Sequence, residues 1–252
     1  MTIIGRGQKK NSSIDVIDTT NLGVCDDLRS AIMILEKEGW FSQRPQKTRA
    51  LLTTIAQLRK FSKNEPVYLA GDRANGVFGL VRGSLHISIP RIDGEDFIAH
   101  RAGAGFWIGD LALFAGEERL VSVRAAEPTQ MVQLPADALQ QLVRDNPWLY
   151  EDFYALTYQN FRTTFAILSM LSMSSTTKRV ATKLLLQVET RADREGWIDI
   201  SQPELAGLLA ISLPTLQRIM RRFQAAGFIK SSYARIQVLD RNALAQICGE
   251  YR

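Results

Sequence analysis

The stretch from Glu65 to Leu134 is divided by glycines into short apolar runs, and this pattern restricts the fold more than any other feature of the sequence. In one run Leu85, Ile87 and Ile89 alternate with polar residues, which is the period of a half-buried strand. The glycines stand where turns and bulges separate strands, at positions 71, 76, 79, 83, 94, 103, 105 and 109. Short strands at this spacing predict a small β-sandwich or jelly roll.

Helices are expected on both sides of this β-region. Residues 26–61 alternate apolar and charged side chains at helical spacing, with a break at Phe41–Pro45, which predicts two or three short helices. A short helix is predicted over 136–145, a long one from Pro147 to about Met173, and a further one over 178–190. The fold class is therefore α+β.

The long helix has an apolar stripe that recurs at alternating steps of four and three residues, which is typical of a coiled-coil seam. An asparagine within such a stripe can fix the register of two helices. The stripe predicts that the helix pairs with a second copy of the chain, although packing on its own β-region is an alternative, and both can hold together. The predicted dimer residues are Leu149, Phe153, Leu156, Asn160, Thr163, Ile167 and Met170.

Positive charge is confined to the C-terminal third of the chain. Residues 1–175 hold equal numbers of basic and acidic side chains, so the whole net charge of +5 lies within residues 176–252. No acidic residue occurs between Glu204 and Asp240. A basic field limited to one small region indicates a nucleic-acid surface, with an ordinary solvated surface as the alternative.

Two closely spaced helices are predicted inside this basic region. Ser201 and Glu204 form a capping box, and Ser212 is a second N-cap after the short connection Ala210–Ile211. In the second helix one side is apolar, and the opposite side carries three arginines. The apolar side consists of Leu216, Ile219, Met220 and Phe223.

A hairpin with a polar tip at Ser231–Ala234 follows, in the manner of a wing that contacts phosphates. Helix, turn, helix and wing together predict that the second helix enters the major groove of DNA, where arginine recognises guanine. A winged-helix module that binds protein is the alternative. The predicted DNA-binding residues are Ser201, Gln202, Ser212, Leu213, Pro214, Thr215, Gln217, Arg218, Arg221, Arg222, Lys230, Ser232, Tyr233 and Arg235.

Over roughly residues 60–240 the chain resembles the cyclic-AMP receptor / fumarate-nitrate-reduction regulator (Crp/Fnr) superfamily. The segment FWIGDLALFAGEERLVSVRA is similar to the family's phosphate-binding cassette. The resemblance implies a β-roll, a dimer helix and a winged helix-turn-helix. It also implies an effector site in which a glycine turn and an arginine hold a phosphate and a carboxylate accepts a ribose hydroxyl. The implied effector residues are Gly109, Asp110, Leu111, Arg119, Leu120 and Thr164.

The sequence departs from the family pattern at several positions. Leu120 stands where nucleotide-responsive members carry a serine or threonine, and Asp110 replaces a glutamate. Both differences argue against cyclic AMP itself, and leave another small anionic effector or none. In the recognition helix Leu213 and Pro214 replace an arginine and a glutamate, whereas Arg218 is retained, which predicts a different operator.

Cofactors and catalysis are not expected. Two cysteines, Cys25 and Cys248, exclude an iron–sulfur cluster with four cysteine ligands, and His86 and His100 are the only histidines available to a haem. Those two histidines also make a metalloenzyme of cupin type with a DNA-binding tail an unfavourable alternative. No apolar run has membrane length and the N-terminus does not read as a secretory signal, so we expect a cytoplasmic protein.

The sequence therefore predicts a homodimeric, sequence-specific transcription regulator that binds a near-palindromic operator in double-stranded DNA. The resemblance adds RNA polymerase as a partner, and a ligand-independent regulator with a vestigial pocket is the main alternative. The predicted domains are a mobile tail over 1–25, a β-roll sensor with leading helices over 26–145, a dimerisation helix over 146–175 and a DNA-binding domain over 176–252.

Overall fold

The computed structural model describes residues 27–92, 94, 96–191 and 195–249. The predicted mobile tail, residues 1–25, lies outside the described residues. Within them, three short helices lead into a β-domain, a long helix follows, and a smaller winged helical unit comes last. The predicted α+β class is confirmed.

Three short helices precede the β-domain, as predicted: α1 (Leu28–Leu35), α2 (Gly39–Ser42) and α3 (Gln46–Ile55). The prediction of helix as far as residue 61 is wrong, because Gln57–Phe61 forms strand β1. This segment pairs antiparallel with a later strand along its whole length, from Gln57 opposite Gln133 to Phe61 opposite Thr129. Its pairing partner lies far along the chain, which local periodicity does not register.

The β-domain consists of two antiparallel sheets of four strands. The first contains β1, β8 (Thr129–Pro135), β3 (Gly76–Arg82) and β6 (Trp107–Ile108), in that order. The second contains β2 (Pro66–Tyr68), β7 (Ser122–Ala125), β4 (Leu85–Pro90) and β5 (Asp96–Ala102), in that order. The short helix α4 (Asp110–Ala115) lies between β6 and β7 in the chain. The jelly-roll prediction is therefore confirmed.

Two helices follow the sheets: α5 (Ala136–Asp145) and the long α6 (Leu149–Leu171). An aromatic cluster fixes the first half of α6 to the β-domain, with the rings of Trp40 and Phe153 5.3 Å apart and those of Trp40 and Trp107 also 5.3 Å apart. The indole Nε1 of Trp40 donates to the carbonyl of Asp152 at 2.8 Å. Helix α6 is thus anchored at its start by buried rings and a buried hydrogen bond.

The predicted dimer seam is wrong for four of its seven residues. Leu149, Phe153, Leu156 and Met170 are buried within their own chain and cannot contact a second copy. The first three belong to the core of the β-domain, and Met170 belongs to the core of the C-terminal unit. The alternative, that the stripe packs on its own β-domain, holds for those three, because burial of an apolar face against the nearest sheet is the stronger demand on a helix.

The C-terminal unit is a winged helix-turn-helix built around one apolar core. Sequence analysis missed the third wing strand, β9 (Trp197–Asp199), and the closing helix, α10 (Arg241–Cys248). Among the described residues no helix is long and apolar enough to cross a membrane. The elements are α7 (Thr176–Arg191), β9 (Trp197–Asp199), α8 (Gln202–Leu208), α9 (Leu213–Ala225), β10 (Ile229–Ser232), β11 (Arg235–Val238) and α10 (Arg241–Cys248).

The turn between α8 and α9 holds Ala210 in the left-handed region, with φ of 50°. That conformation costs a non-glycine residue about 1–2 kcal/mol, which glycine would avoid. Glycine's greater flexibility in the unfolded chain would offset about 0.5–1 kcal/mol of this gain. Ala210→Gly is therefore expected to raise the free energy of unfolding by about 0.5–1 kcal/mol in chemical denaturation. Ala50→Gly, at an exposed position inside α3, should lower it by a similar amount, and a loss in both variants would contradict the interpretation.

Candidate DNA interface and effector pocket

Helix α9 separates its apolar and basic faces as predicted. Ser212 caps its N-terminus, with Oγ accepting from the backbone N–H of Thr215 at 3.4 Å. The four predicted apolar residues are buried in the core of the unit. The opposite face is exposed and carries Arg218, Arg221 and Arg222. A helix with this division can place a row of guanidinium groups against a ligand without losing its own core.

The other predicted DNA-binding residues lie at the start of α8, in the first turns of α9 and on the wing. The side chain of Ser201 accepts from the N–H of Glu204 at 3.2 Å, so the predicted cap is present. Pro214 is exposed at the start of α9, whereas Leu213 is half-buried and packs on the core. The residues with partial exposure are Ser201, Gln202, Thr215 and Gln217, and the exposed wing residues are Lys230, Ser232 and Tyr233.

Arg235 differs from the other predicted phosphate contacts because its charge is already paired. Its Nε lies 2.7 Å from a carboxylate oxygen of Asp199, and its guanidinium lies 5.4 Å from the ring centre of Trp197. Asp199 and Trp197 both belong to β9, the strand that sequence analysis missed. The pairing reduces the positive field that Arg235 presents at the wing, whereas Lys230 is exposed.

A cluster of charged groups joins the β-domain to α8. Oε1 of Glu204 lies 3.1 Å from Nε2 of His86 and 3.0 Å from Nη1 of Arg101. Arg101 also donates to the carbonyl of Asp199 at 2.9 Å and to Oγ of Ser84. Burial acts to raise the pKa of Glu204, but the hydrogen bond to His86 and the charge of Arg101 outweigh it and lower that pKa below its ordinary value of 4.5.

The lowered pKa of Glu204 predicts a pH-dependent stability. A carboxyl group whose pKa is lower in the folded state stabilises that state at pH values above its pKa in the unfolded chain. This contribution is lost as the pH falls through the pKa of the group in the folded state. Glu204→Gln is expected to lower the thermal midpoint at pH 7 by about 2–4 °C, and the difference from wild type should vanish in the acid range below 4.5. Glu117→Gln, at an exposed position, is the control. A difference that stays constant with pH would contradict the interpretation.

A cavity of about 510 Å³ lies between the β-domain and α6. It contains all six of the predicted effector residues on its wall. Gly109 has φ of 110°, and a Cβ there would lie 2.8 Å from Nη1 of Arg119, so the position requires glycine. The six residues that the resemblance implies thus lie at one cavity, and the geometry of their polar groups decides what they can bind.

The guanidinium of Arg119 is directed into the protein. Its Nη1 donates to the carbonyl of Gly109 at 2.7 Å, and its Nη2 donates to the carbonyl of Gly76 at 2.7 Å and to Oδ1 of Asn75 at 3.1 Å. It lies 4.2 Å from the ring centre of Tyr68, and the residue is only 3% exposed. Its Nε is buried without a hydrogen-bond partner. Both ends of the fork that a phosphate would use are occupied.

Asp110 is held in a similar way by α6. One carboxylate oxygen accepts from Oγ1 of Thr157 in a short hydrogen bond, and the other accepts from Nδ2 of Asn160 at 3.3 Å. Burial raises the pKa of Asp110, against the effect of these two bonds. Asn160, predicted as a register-setting dimer residue, thus serves the pocket wall and also donates to the carbonyl of Trp107.

The other predicted effector residues offer little polar chemistry. Leu111 and Leu120 are exposed apolar side chains at the edge of the cavity. The hydroxyl of Thr164 donates to the carbonyl of Asn160 at 3.0 Å, within its own helix. Thr163 and Ile167, predicted for the dimer seam, are half-buried and line the same cavity.

Helix α6 carries a second apolar stripe, which sequence analysis missed. It consists of large side chains at steps of four, four, three, four and three residues, and each is exposed in the single chain, as in Tyr154 at 75%. This spacing is close to a heptad repeat. We call it the α6 stripe, and its members are Tyr150, Tyr154, Tyr158, Phe161, Phe165 and Leu168. The heptad-like spacing of this stripe is visible in the sequence. Because both stripes are apolar, however, only the position of the β-domain shows which of the two it covers.

Comparison with known protein families gives two matches along the chain. The family described as "Cyclic nucleotide-binding domain" matches residues 58–146, and the one described as "Crp-like helix-turn-helix domain" matches residues 178–247. Together with the fold and the exposed basic helix, these matches define a winged-helix transcription regulator. Regulators of this class are not enzymes, and no group of three or more metal-ligating side chains occurs in the described part of the chain.

Similar proteins come from the same group of regulators. A "CRP-like cAMP-activated global transcriptional regulator" of Mycobacterium tuberculosis is 24% identical over 218 residues, covering 84% of this chain and 97% of the relative. The "Transcriptional activator protein FnrA" of Stutzerimonas stutzeri is 24% identical over 214 residues, covering 81% of this chain and 85% of that protein. The structure of FixK2 from Bradyrhizobium japonicum has the same fold, with a TM-score of 0.69, 20% identity, and coverage of 79% of this chain and 100% of FixK2. The chain belongs to the Crp/Fnr family of transcription regulators.

Proposed function

We propose that this regulator is a cytoplasmic homodimer that binds a near-palindromic operator through two copies of α9. The observation that carries the proposal is the exposed face of α9, where three arginines lie opposite a fully buried apolar face. Arginine binds guanine O6 and N7 in the major groove, and two-fold pairing places two recognition helices about one DNA turn apart. Contact with RNA polymerase follows from the family and stays a prediction.

The α6 stripe is the surface that we propose for the second copy. Six large apolar side chains in a heptad-like row, exposed on one helix, are more than a monomer in water usually leaves uncovered. Two such helices in parallel would bury both rows in a coiled coil. The predicted division into a sensor over 26–145, a dimerisation helix over 146–175 and a DNA-binding domain over 176–252 is kept as part of this proposal.

In vitro selection from a pool of random duplexes tests the proposal. The purified full chain is expected to enrich inverted repeats whose half-sites are centred about 10 base pairs apart. Enrichment of a single unrepeated half-site would support sequence-specific DNA binding but overturn the proposed homodimer. Recovery of no sequence preference at all would overturn sequence-specific recognition.

The cavity beside α6 is proposed as an effector site, and a ligand-independent regulator is the second candidate. The inward pairing of Arg119 and the leucine at position 120 in place of a hydroxyl residue argue against a nucleotide effector. Both features therefore favour the ligand-independent regulator. The volume of about 510 Å³ favours the first, because sites for small molecules commonly have 300–1,000 Å³.

A further inference from the structure

The cavity between the β-domain and α6 has walls that are almost entirely hydrocarbon. Aromatic and aliphatic side chains come from β4, β5 and the segment after β5 on one side, and from α6 on the other. They include Ile87, Phe97, Phe106, Ile108, Phe161 and Leu168. A ligand binds to such a surface mainly because binding removes its apolar area from water.

The charged side chains Arg119 and Asp110 on the wall are held by partners within the protein, apart from Nε of Arg119, which has none. Both Nη atoms of Arg119 are bonded to backbone carbonyls, and both oxygens of Asp110 accept from α6. The hydroxyl of Thr163 donates to the carbonyl of Gln159, as that of Thr164 does to Asn160. A ligand with a phosphate or a ribose would have to break some of these bonds and leave their partners buried and unsatisfied, which opposes binding.

We propose that this cavity binds a predominantly apolar, uncharged small molecule rather than a nucleotide. The inference rests on the proposed role of the cavity as an effector site, and it names the class of ligand. Leu120 and Leu111 stand at the edge of the cavity, where they extend the apolar contact in place of hydrogen-bond donors.

We expect a ligand in the cavity to change the affinity for DNA through α6. Phe161 and Leu168 line the cavity and also belong to the α6 stripe, so a ligand that contacts them acts on the residues proposed to pair two chains. A ligand that favours one arrangement of the pair changes the affinity for DNA by the same factor by which DNA changes the affinity for the ligand.

Fluorescence titration of the full chain with N-phenyl-1-naphthylamine, an uncharged apolar probe, tests the inference. We expect saturable binding that millimolar 3′,5′-cyclic AMP does not displace. Ala99→Phe fills the cavity from β5 and should weaken probe binding at least about tenfold. Leu120→Ser, at an exposed position that does not support the core, should weaken it about threefold to tenfold. Leu239→Ser removes an equally apolar side chain outside the cavity and should leave the affinity for the probe unchanged.

A variant of the α6 stripe separates the cavity from the exposed surface. Phe165 belongs to the stripe and does not line the cavity, so Phe165→Glu should retain the probe. Loss of the probe in Phe165→Glu with retention in both cavity variants would overturn the inference, and so would displacement by cyclic AMP.

DNA selection by the same protein preparation distinguishes the inference from the proposed function. Absence of probe binding beside intact selection of an inverted repeat overturns the apolar ligand and leaves the regulator proposal standing. Displacement of the probe by cyclic AMP overturns the ligand class alone and leaves the effector site in place.

Discussion

Phe165→Glu is expected to convert the protein into a monomer that binds its operator about 100- to 10,000-fold more weakly than wild type. Phe165 lies in the middle of the α6 stripe and is exposed in the single chain, so the substitution leaves the core of each protomer unchanged. Two buried glutamates facing each other in a paired helix would repel and lose their hydration. Without pairing, the second half-site no longer adds its avidity, which is the source of the expected loss.

Sedimentation velocity and fluorescence anisotropy measure the two parts of this prediction. Met33→Glu is the matched control, because it places the same charge on an exposed apolar position of α1. The control should remain a dimer with wild-type affinity. A dimer formed by Phe165→Glu at micromolar concentration, with unchanged operator affinity, would show that the α6 stripe is not the pairing surface.

Arg218→Ala is expected to weaken binding to the selected operator by about 5- to 150-fold for each half-site, which corresponds to the loss of one bidentate guanine contact. Arg218 is exposed on α9, one turn after the N-terminus of the helix. Binding to random duplex should change much less, because phosphate contacts supply nearly all of the non-specific affinity.

Arg241→Ala is the control for the charge that Arg218→Ala removes. Arg241 is exposed within the same basic unit but begins α10 rather than α9. Anisotropy titrations with the operator and with a scrambled duplex should show reduced discrimination for Arg218→Ala alone. Equal losses on both duplexes in both variants would mean that Arg218 contributes charge and no base recognition.

The winged helix-turn-helix could be predicted closely from the sequence because its signals are local. The two serine caps at Ser201 and Ser212 and the two faces of α9 each depend on residues within one or two helical turns. The jelly roll could be predicted as a class from glycine spacing and alternation. Its edge strand β1 could not be predicted, nor could β9 at the edge of the wing sheet, since both are strands only through partners distant in sequence.

The long helix shows where periodicity is insufficient. Leu149 and Tyr150, or Phe153 and Tyr154, are adjacent apolar residues that point to different sides of α6. The sequence therefore contains two seams, and packing against the β-domain chooses between them. The effector residues show a related limit: their positions could be predicted by resemblance, but the direction of the Arg119 side chain depends on three carbonyl acceptors that three-dimensional packing supplies.

Methylation interference on the selected operator tests the central claim most directly, because dimethyl sulfate modifies guanine N7 in the major groove and adenine N3 in the minor groove. We expect interference at guanines in both half-sites, placed symmetrically about 10 base pairs apart, with one guanine per half-site losing its effect in Arg218→Ala. Interference limited to adenine N3, or a guanine pattern identical in wild type and Arg218→Ala, would contradict recognition of DNA by the basic face of α9.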